Sequence, residues 1–182
     1  MRAVIVYESM YGNTHVVADH IAEGLRPMAE VDVVPVDQAS RDAVASADLV
    51  VVGGPTHAHG MTTRWSRKAA MEAAAKPGAG LEADPDAEGD GLRAWFDHLG
   101  SVEGVAAAAF DTRIDGPPLF TGRASRGITR RLRHHGFVPA AEPESFLVDS
   151  KHHLVAGEVD RATAWGRTLA AALAEIERAP SF

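Results

Sequence analysis

The stretch Val4-Ile5-Val6-Tyr7-Glu8-Ser9-Met10-Tyr11-Gly12-Asn13-Thr14-His15-Val16-Val17-Ala18 restricts the fold more than any other part of the chain. Its apolar, β-branched run stops in a Ser/Gly/Asn/Thr turn and restarts at helical spacing, which predicts strand, tight loop and helix. Backbone N–H groups in the first turn of a helix lack intrahelical acceptors and carry the positive end of the helix dipole, so Gly12-Asn13-Thr14 is a candidate anion cradle. Ser9 and Thr14 add hydroxyl donors. A nucleoside-triphosphate loop would need Gly-Lys-Ser/Thr here, but the only lysines are Lys68, Lys76 and Lys151, and Gly-x-Gly-x-x-Gly is also missing. Two readings remain: a seat for one phosphate held by neutral donors, or an ordinary strand-to-helix turn capped by Asn13 or Thr14.

The rest of the chain alternates strand and helix patterns. Residues 2–7 form the first strand, and the helix from about Asn13 to Leu25 carries Val16, Val17, Ile21 and Leu25 and stops at Pro27. Residues 30–36, with an internal proline, suit an edge strand. Ser40 is a cap. Ala47 to Gly53 is nearly continuously apolar, as for a central strand buried on both faces. Thr62 or Thr63 caps a helix to about Ala75 with Trp65 and Met71 toward the core. Residues 76–89 read as a mobile surface loop, and Asp90 as the cap of a helix to Leu99. Gly104 to Phe110 is a small-residue strand, and a helix from Ala124 to His135 bears Arg126, Arg130, Arg131 and Arg133. A strand interrupted by Pro139 and Pro143 occupies part of 137–148, its surer piece being Ser145 to Val148. A last helix, 158–178, packs Val159, Ala162, Trp165, Leu169, Leu173 and Ile176. The pattern predicts one domain over 1–182, a doubly wound α/β sandwich of three layers.

Ligands in such sheets sit beyond the carboxyl ends of the strands, which picks out two further stretches. After the third strand comes Gly53-Gly54-Pro55-Thr56-His57-Ala58-His59-Gly60-Met61, where glycines let backbone approach a ligand closely. After the fourth comes Asp111-Thr112-Arg113, leading to Phe120, which is either a ligand neighbour or a loop anchor. The His-x-His pair, and His15 with Asp19 four residues on, have metal-ligand types, but solvated side chains are the expectation and no metal site is assigned. The absence of cysteine excludes disulfides, iron–sulfur clusters and dithiol chemistry, so electron chemistry would need a bound cofactor. A formal charge of −7 argues against nucleic acid as partner. No apolar run approaches ~20 residues and no charged leader precedes the first strand, so the expectation is a cytoplasmic protein without membrane insertion.

Ser9-Met10-Tyr11-Gly12-Asn13-Thr14 resembles the flavin-phosphate loop of the flavodoxin family, and the resemblance extends over residues 50–61 and 104–113. It is similar in particular to flavodoxin-like proteins of unassigned activity with Gly-Gly-Pro-Thr-His after strand three and Phe-Asp-Thr-Arg after strand four. The resemblance implies a five-stranded parallel sheet of order 2-1-3-4-5 and the cofactor FMN. Ser9 to Thr14 would hold the phosphate. Pro55, Thr56, His57, His59 and Gly60 would line one side of the flavin ring, and Asp111, Thr112 and Arg113 the other. The implied function is electron transfer to a redox partner protein or small-molecule acceptor. Two alternatives stay open: an NAD(P)H-dependent FMN oxidoreductase reducing quinones, which the lack of bulky aromatics in both ring loops favours, and a flavin-free binding module. No catalytic residue is assigned.

Overall fold

Strand β1, Arg2–Tyr7, alternates its side chains between two apolar layers, and this places it inside the sheet. In the computed structural model, which describes residues 1–57, 59–78 and 80–178 (the last three by backbone only), Ala3, Ile5 and Tyr7 face one helical layer. Val4 and Val6 face the other. Helix α1, Asn13–Leu25, follows, and β2, Glu30–Pro35, pairs with β1 in parallel at the sheet edge. Helix α2, Arg41–Ala45, is capped by Ser40, whose Oγ accepts from the Ala43 amide at 3.2 Å. The central strand β3, Leu49–His57, pairs with β1 and turns back through the two-residue β4, Gly60–Met61.

Helix α3, Arg64–Ala74, starts in a capping box formed by Thr63 and Ser66, and α4 spans Leu92–Leu99. Strand β5, Ala106–Ile114, lies beside β3. The short α5, Pro118–Thr121, and α6, Ala124–His134, come next. The fifth sheet position is split between β6, Val138–Pro139, and β7, Glu144–Val148, each parallel to β5. Helix α7, Glu158–Arg178, ends the described chain. The order β2-β1-β3-β5-β6/β7 is the predicted 2-1-3-4-5, drawn from seven strand segments because prolines divide the last strand and β4 adds a hairpin.

One layer, α1 and α7, packs Val17, Ile21, Ala162, Trp165 and Leu169 against the sheet. The two helices touch where a Cβ on Gly24 would meet Thr163 O at 2.2 Å and one on Gly166 would meet Ile21 O at 2.2 Å. The opposite layer packs Val44, Phe96, Leu99, Ile128 and Leu132. In the sheet, Gly53 stands opposite Phe110, whose ring a Cβ there would meet at 2.0 Å.

Four side-chain expectations change. Trp65 is 78% exposed, because α3 buries the face that carries Ser66, Arg67 and Ala70 instead. Val16 is exposed, since α1 buries the Thr14, Val17, Ala18, Ile21 stripe instead. Asp90 caps nothing: Gly91 is the N-cap of α4, and the Leu92 amide donates to Glu8 Oε2 at 2.9 Å. Residues 76–89 carry no helix or strand among those described, yet Asp84 and Ala87 within them are buried. The packing of the Ile176 side chain lies outside the described residues.

Candidate functional site

At the β1–α1 turn, Ser9 is buried and its Oγ accepts from the Gly12 amide at 3.1 Å. Gly12 is the N-cap with φ 86°, a left-handed conformation that disfavours any side chain. Asn13 and Thr14 are the first helical residues and cap nothing. The Asn13 amide group instead donates to His152 O at 2.6 Å, and Thr14 Oγ1 shares a buried hydrogen bond of 2.8 Å with Thr112 Oγ1. The backbone N–H groups of Asn13, Thr14 and His15 find no acceptor among the described residues. Such donors, at the positive end of a dipole, form an anion seat. Tyr11 is committed elsewhere: its hydroxyl donates to Ala70 O at 3.1 Å, and burial pushes its pKa up.

The turn opens on a cavity of about 80 Å³ where the ends of β1, β3 and β5 meet. Met10, Tyr11, Asn13 and Thr14 line it from the turn, Pro55, Thr56 and His57 from β3, and Thr112, Arg113 and Ile114 from β5. Val148 and His152 close the far side. The stretches read as loops are strands here, since β3 and β5 stay paired from Gly53–Phe110 through Pro55–Thr112. Strand alternation therefore sorts their residues. Thr112 turns toward α1, whereas Asp111 turns under α6, fully buried and away from the cavity, with its Oδ2 accepting from the Ser125 amide at 2.7 Å. Burial raises the Asp111 pKa, against the lowering effect of its bonds from Ser125. Thr56 Oγ1 accepts from the neighbouring Ala124 amide at 2.8 Å.

Arg113 is buried and does not pair with Asp111. Its Nη1 donates to Gly116 O at 2.7 Å, Thr121 Oγ1 at 3.1 Å and Ile114 O at 3.2 Å, which ties down the segment after β5. His57 faces the cavity, and burial lowers its pKa; His152 and Arg67 push the same way and Glu8 opposes them. His59 and Gly60 point elsewhere, into a separate groove of about 300 Å³ walled by Arg93, Arg123, Arg126, Arg130 and Arg131. Phe120 is 71% exposed on α5 and neither lines the cavity nor anchors the core.

Sequence reasoning missed Glu8. It is 2% exposed, 2.7 Å from Arg67 Nη1, and accepts from Thr62 Oγ1 as well as from Leu92 N. Arg67 Nη2 donates to Ala87 O and Gly89 O, both at 2.9 Å. This buried network fixes the wall behind β3. Its one signal in the sequence is a carboxylate at the end of an otherwise apolar strand.

A family model described as a flavodoxin domain matches residues 4–78, which include most of β1, the turn and β3. The oxidised flavodoxin 1 of Bacillus cereus superposes with a TM-score of 0.65 at 19% identity, over 99% of this chain and 100% of that one. The chain has the flavodoxin-like fold. The flavodoxin of Streptococcus pneumoniae TIGR4 gives 0.64 at 20% identity, covering 94% and 99%. Rubredoxin oxygen:oxidoreductase of Desulfovibrio gigas gives 0.66 at 18%, with 98% of this chain matched to 37% of that one. Among curated proteins none matches. Identities of this size carry the flavodoxin-like fold alone. No helix among the described residues is long and apolar enough to cross a membrane.

Proposed function

We propose that this flavodoxin-like protein binds FMN at the β1–α1 turn and passes electrons to a redox partner protein or a small acceptor. The observation that carries the reading is the set of unpaired N–H groups on Asn13, Thr14 and His15 at the mouth of a cavity shared by three strand ends. They fit a terminal phosphate, with the Thr14 and Thr112 hydroxyls beside them. The flavodoxins and the rubredoxin oxygen:oxidoreductase that share the fold support the same reading. Bound FMN would supply the one- and two-electron chemistry, and the chain would bind, orient and shield it. Pro55, Thr56, His57, Thr112 and Arg113 form the wall available to its ring.

The cavity is smaller than the roughly 300–1,000 Å³ of ordinary small-molecule pockets. The Asn13–His152 bond crosses its edge, so admission of the ring requires the 149–157 segment to move outward. Titration of flavin-stripped protein with FMN, riboflavin and FAD tests the reading: FMN binds tightest, because the seat holds one terminal phosphate. Absence of saturable FMN binding would leave the flavin-free module.

The second reading, an NAD(P)H-dependent FMN oxidoreductase acting on quinones, draws support from the arginine groove beside His59, which matches phosphate or carboxylate groups. Oxidation of NADH or NADPH by the FMN-loaded protein with a quinone separates it from electron transfer between proteins.

A further inference from the structure

Beside the β1–α1 turn lies a second cluster of side chains that the flavin reading does not use. His15 Nδ1 is 3.6 Å from Asp84 Oδ2 and 4.0 Å from Asp86 Oδ2, and one donor atom from each of the three residues lies within 4.8 Å of the other two. The Asp84 side chain is 1% exposed, and its Oδ2 has no hydrogen-bond donor among the described residues. That oxygen is buried, aimed into the cluster, and beyond hydrogen-bond length from the histidine.

The hydrogens decide what the cluster lacks. Tyr7 has one hydroxyl proton and donates it to Asp86 Oδ2 at 2.6 Å. A phenol keeps its proton at neutral pH, and this one is spent on Asp86. In the 3.1 Å contact between Tyr7 Oη and His15 Nε2, the oxygen must therefore accept and Nε2 must donate. The two rings stack at 4.3 Å with an interplanar angle of 21°, which holds the imidazole in that orientation. A neutral His15 with its proton on Nε2 turns a bare Nδ1 lone pair toward two carboxylates. His15 Nδ1 and Asp84 Oδ2 then face each other with no donor between them, and Asp86 Oδ2, which accepts from Tyr7, is the third acceptor of the group.

We infer that His15 Nδ1, Asp84 Oδ2 and Asp86 Oδ2 form a binding site for a first-row divalent cation of the Zn²⁺ or Mn²⁺ class. A cation at ~2.1 Å from each ligand needs donors roughly 3–4 Å apart, so the observed spacings close on it with sub-ångström shifts. One imidazole nitrogen with two carboxylates selects transition ions over Mg²⁺ and Ca²⁺, which take oxygen ligands. The outer contacts are those a metal site needs: Tyr7 fixes both His15 and Asp86, and Asp84 Oδ1 accepts from the Asp86 amide at 2.9 Å. The site joins the loop to the seat, because the Asp84 amide also donates to Met10 O at 2.9 Å. It stands whether or not flavin binds.

Calorimetric titration of the chelator-treated full chain with Zn²⁺ and with Mn²⁺ at pH 7.5, and of the His15→Gln, Asp84→Asn and Tyr7→Phe proteins, tests it. The expected result is one equivalent of Zn²⁺ per chain, with a Tyr7→Phe affinity about 10–100-fold lower and still larger losses for the two ligand variants. Circular dichroism confirms that each variant is folded, and Tyr7→Phe, which removes one oxygen, keeps the test valid if a ligand variant unfolds. Co²⁺ titration adds a direct readout: visible d–d absorption appears in the parent protein and is lost in His15→Gln. Unchanged Zn²⁺ affinity in folded His15→Gln would assign binding to other histidines and overturn the site. No saturable Zn²⁺ or Mn²⁺ binding to the parent chain would overturn it too.

Discussion

Three helices begin beside these strand ends, and only α1 begins without a side-chain acceptor on its first helical amide. At α6 the Ala124 and Ser125 amides are taken by Thr56 Oγ1 and Asp111 Oδ2, and at α4 the Leu92 amide is taken by Glu8. At α1 the side chains that sequence reasoning offers as caps turn to His152 and Thr112, and three amides stay unpaired. Closing a helix start with a carboxylate strengthens the framework; leaving one open sets aside donors for a ligand that brings its own charge. The two sealed ends thus support the walls, and the open end is the candidate seat.

Breaking a sealed end should cost the most. Glu8→Ala removes the acceptor for Leu92 N and leaves Arg67 buried without its counter-charge, a change of about 3–5 kcal/mol in unfolding free energy. Urea denaturation measures it, and a loss below about 1 kcal/mol would mean that Arg67 is neutralised in another way.

Breaking the open end should cost affinity instead. Thr14→Ala removes a hydroxyl next to the unpaired amides and should weaken FMN by about 1.5–3 kcal/mol, read by fluorescence titration, with riboflavin affected less because it lacks the phosphate. Equal FMN affinity for both proteins would separate Thr14 from the seat. Asp111→Ala sharpens the contrast from the other side: about 1–3 kcal/mol of stability is lost as α6 loses its acceptor, while the preference for FMN over riboflavin is kept. A collapse of that preference would place Asp111 in the site after all.

The contrast also explains what the sequence disclosed. The strand order and most helix limits follow from hydrophobic period, and the open turn follows from Gly12 with its neighbours, because both are local in the chain. The sealed ends are not local. Glu8 meets Leu92 and Arg67 across the layers, and Asp111 leaves the cavity because β5 remains a strand four residues beyond the predicted end. Asp84 sits in a Pro- and Gly-rich segment whose composition reads as surface, yet its amide is pinned to Met10. The reversal of the chain from β3 into β4, with His59 at φ 72°, likewise separates His57 from His59, which adjacency in the sequence had joined. Long-range pairing of single polar residues leaves no period to read.

The smallest effect concerns His57, the polar side chain at the ring end of the cavity. Burial lowers its pKa from the ordinary 6.5, with Arg67 and His152 adding to the shift and Glu8 reducing it. Between the folded pKa and 6.5 the unfolded chain therefore binds more protons at this position than the folded one, so stability rises with pH across that window. Read downward, stability is lost as pH falls through 6.5 toward the folded value, and no further contribution follows below it. His57→Gln abolishes this term and leaves the other histidines in place, so their titration is common to both proteins. Thermal melts at pH 7.5 and 5.5 should show a larger drop for the parent than for the variant. Equal drops would show that His57 takes up protons as freely in the fold as outside it. If FMN occupies the seat, His57 would offer its ring an uncharged imidazole near neutral pH, and any difference in potential between the two FMN-loaded proteins should grow only as pH falls below the ordinary histidine range.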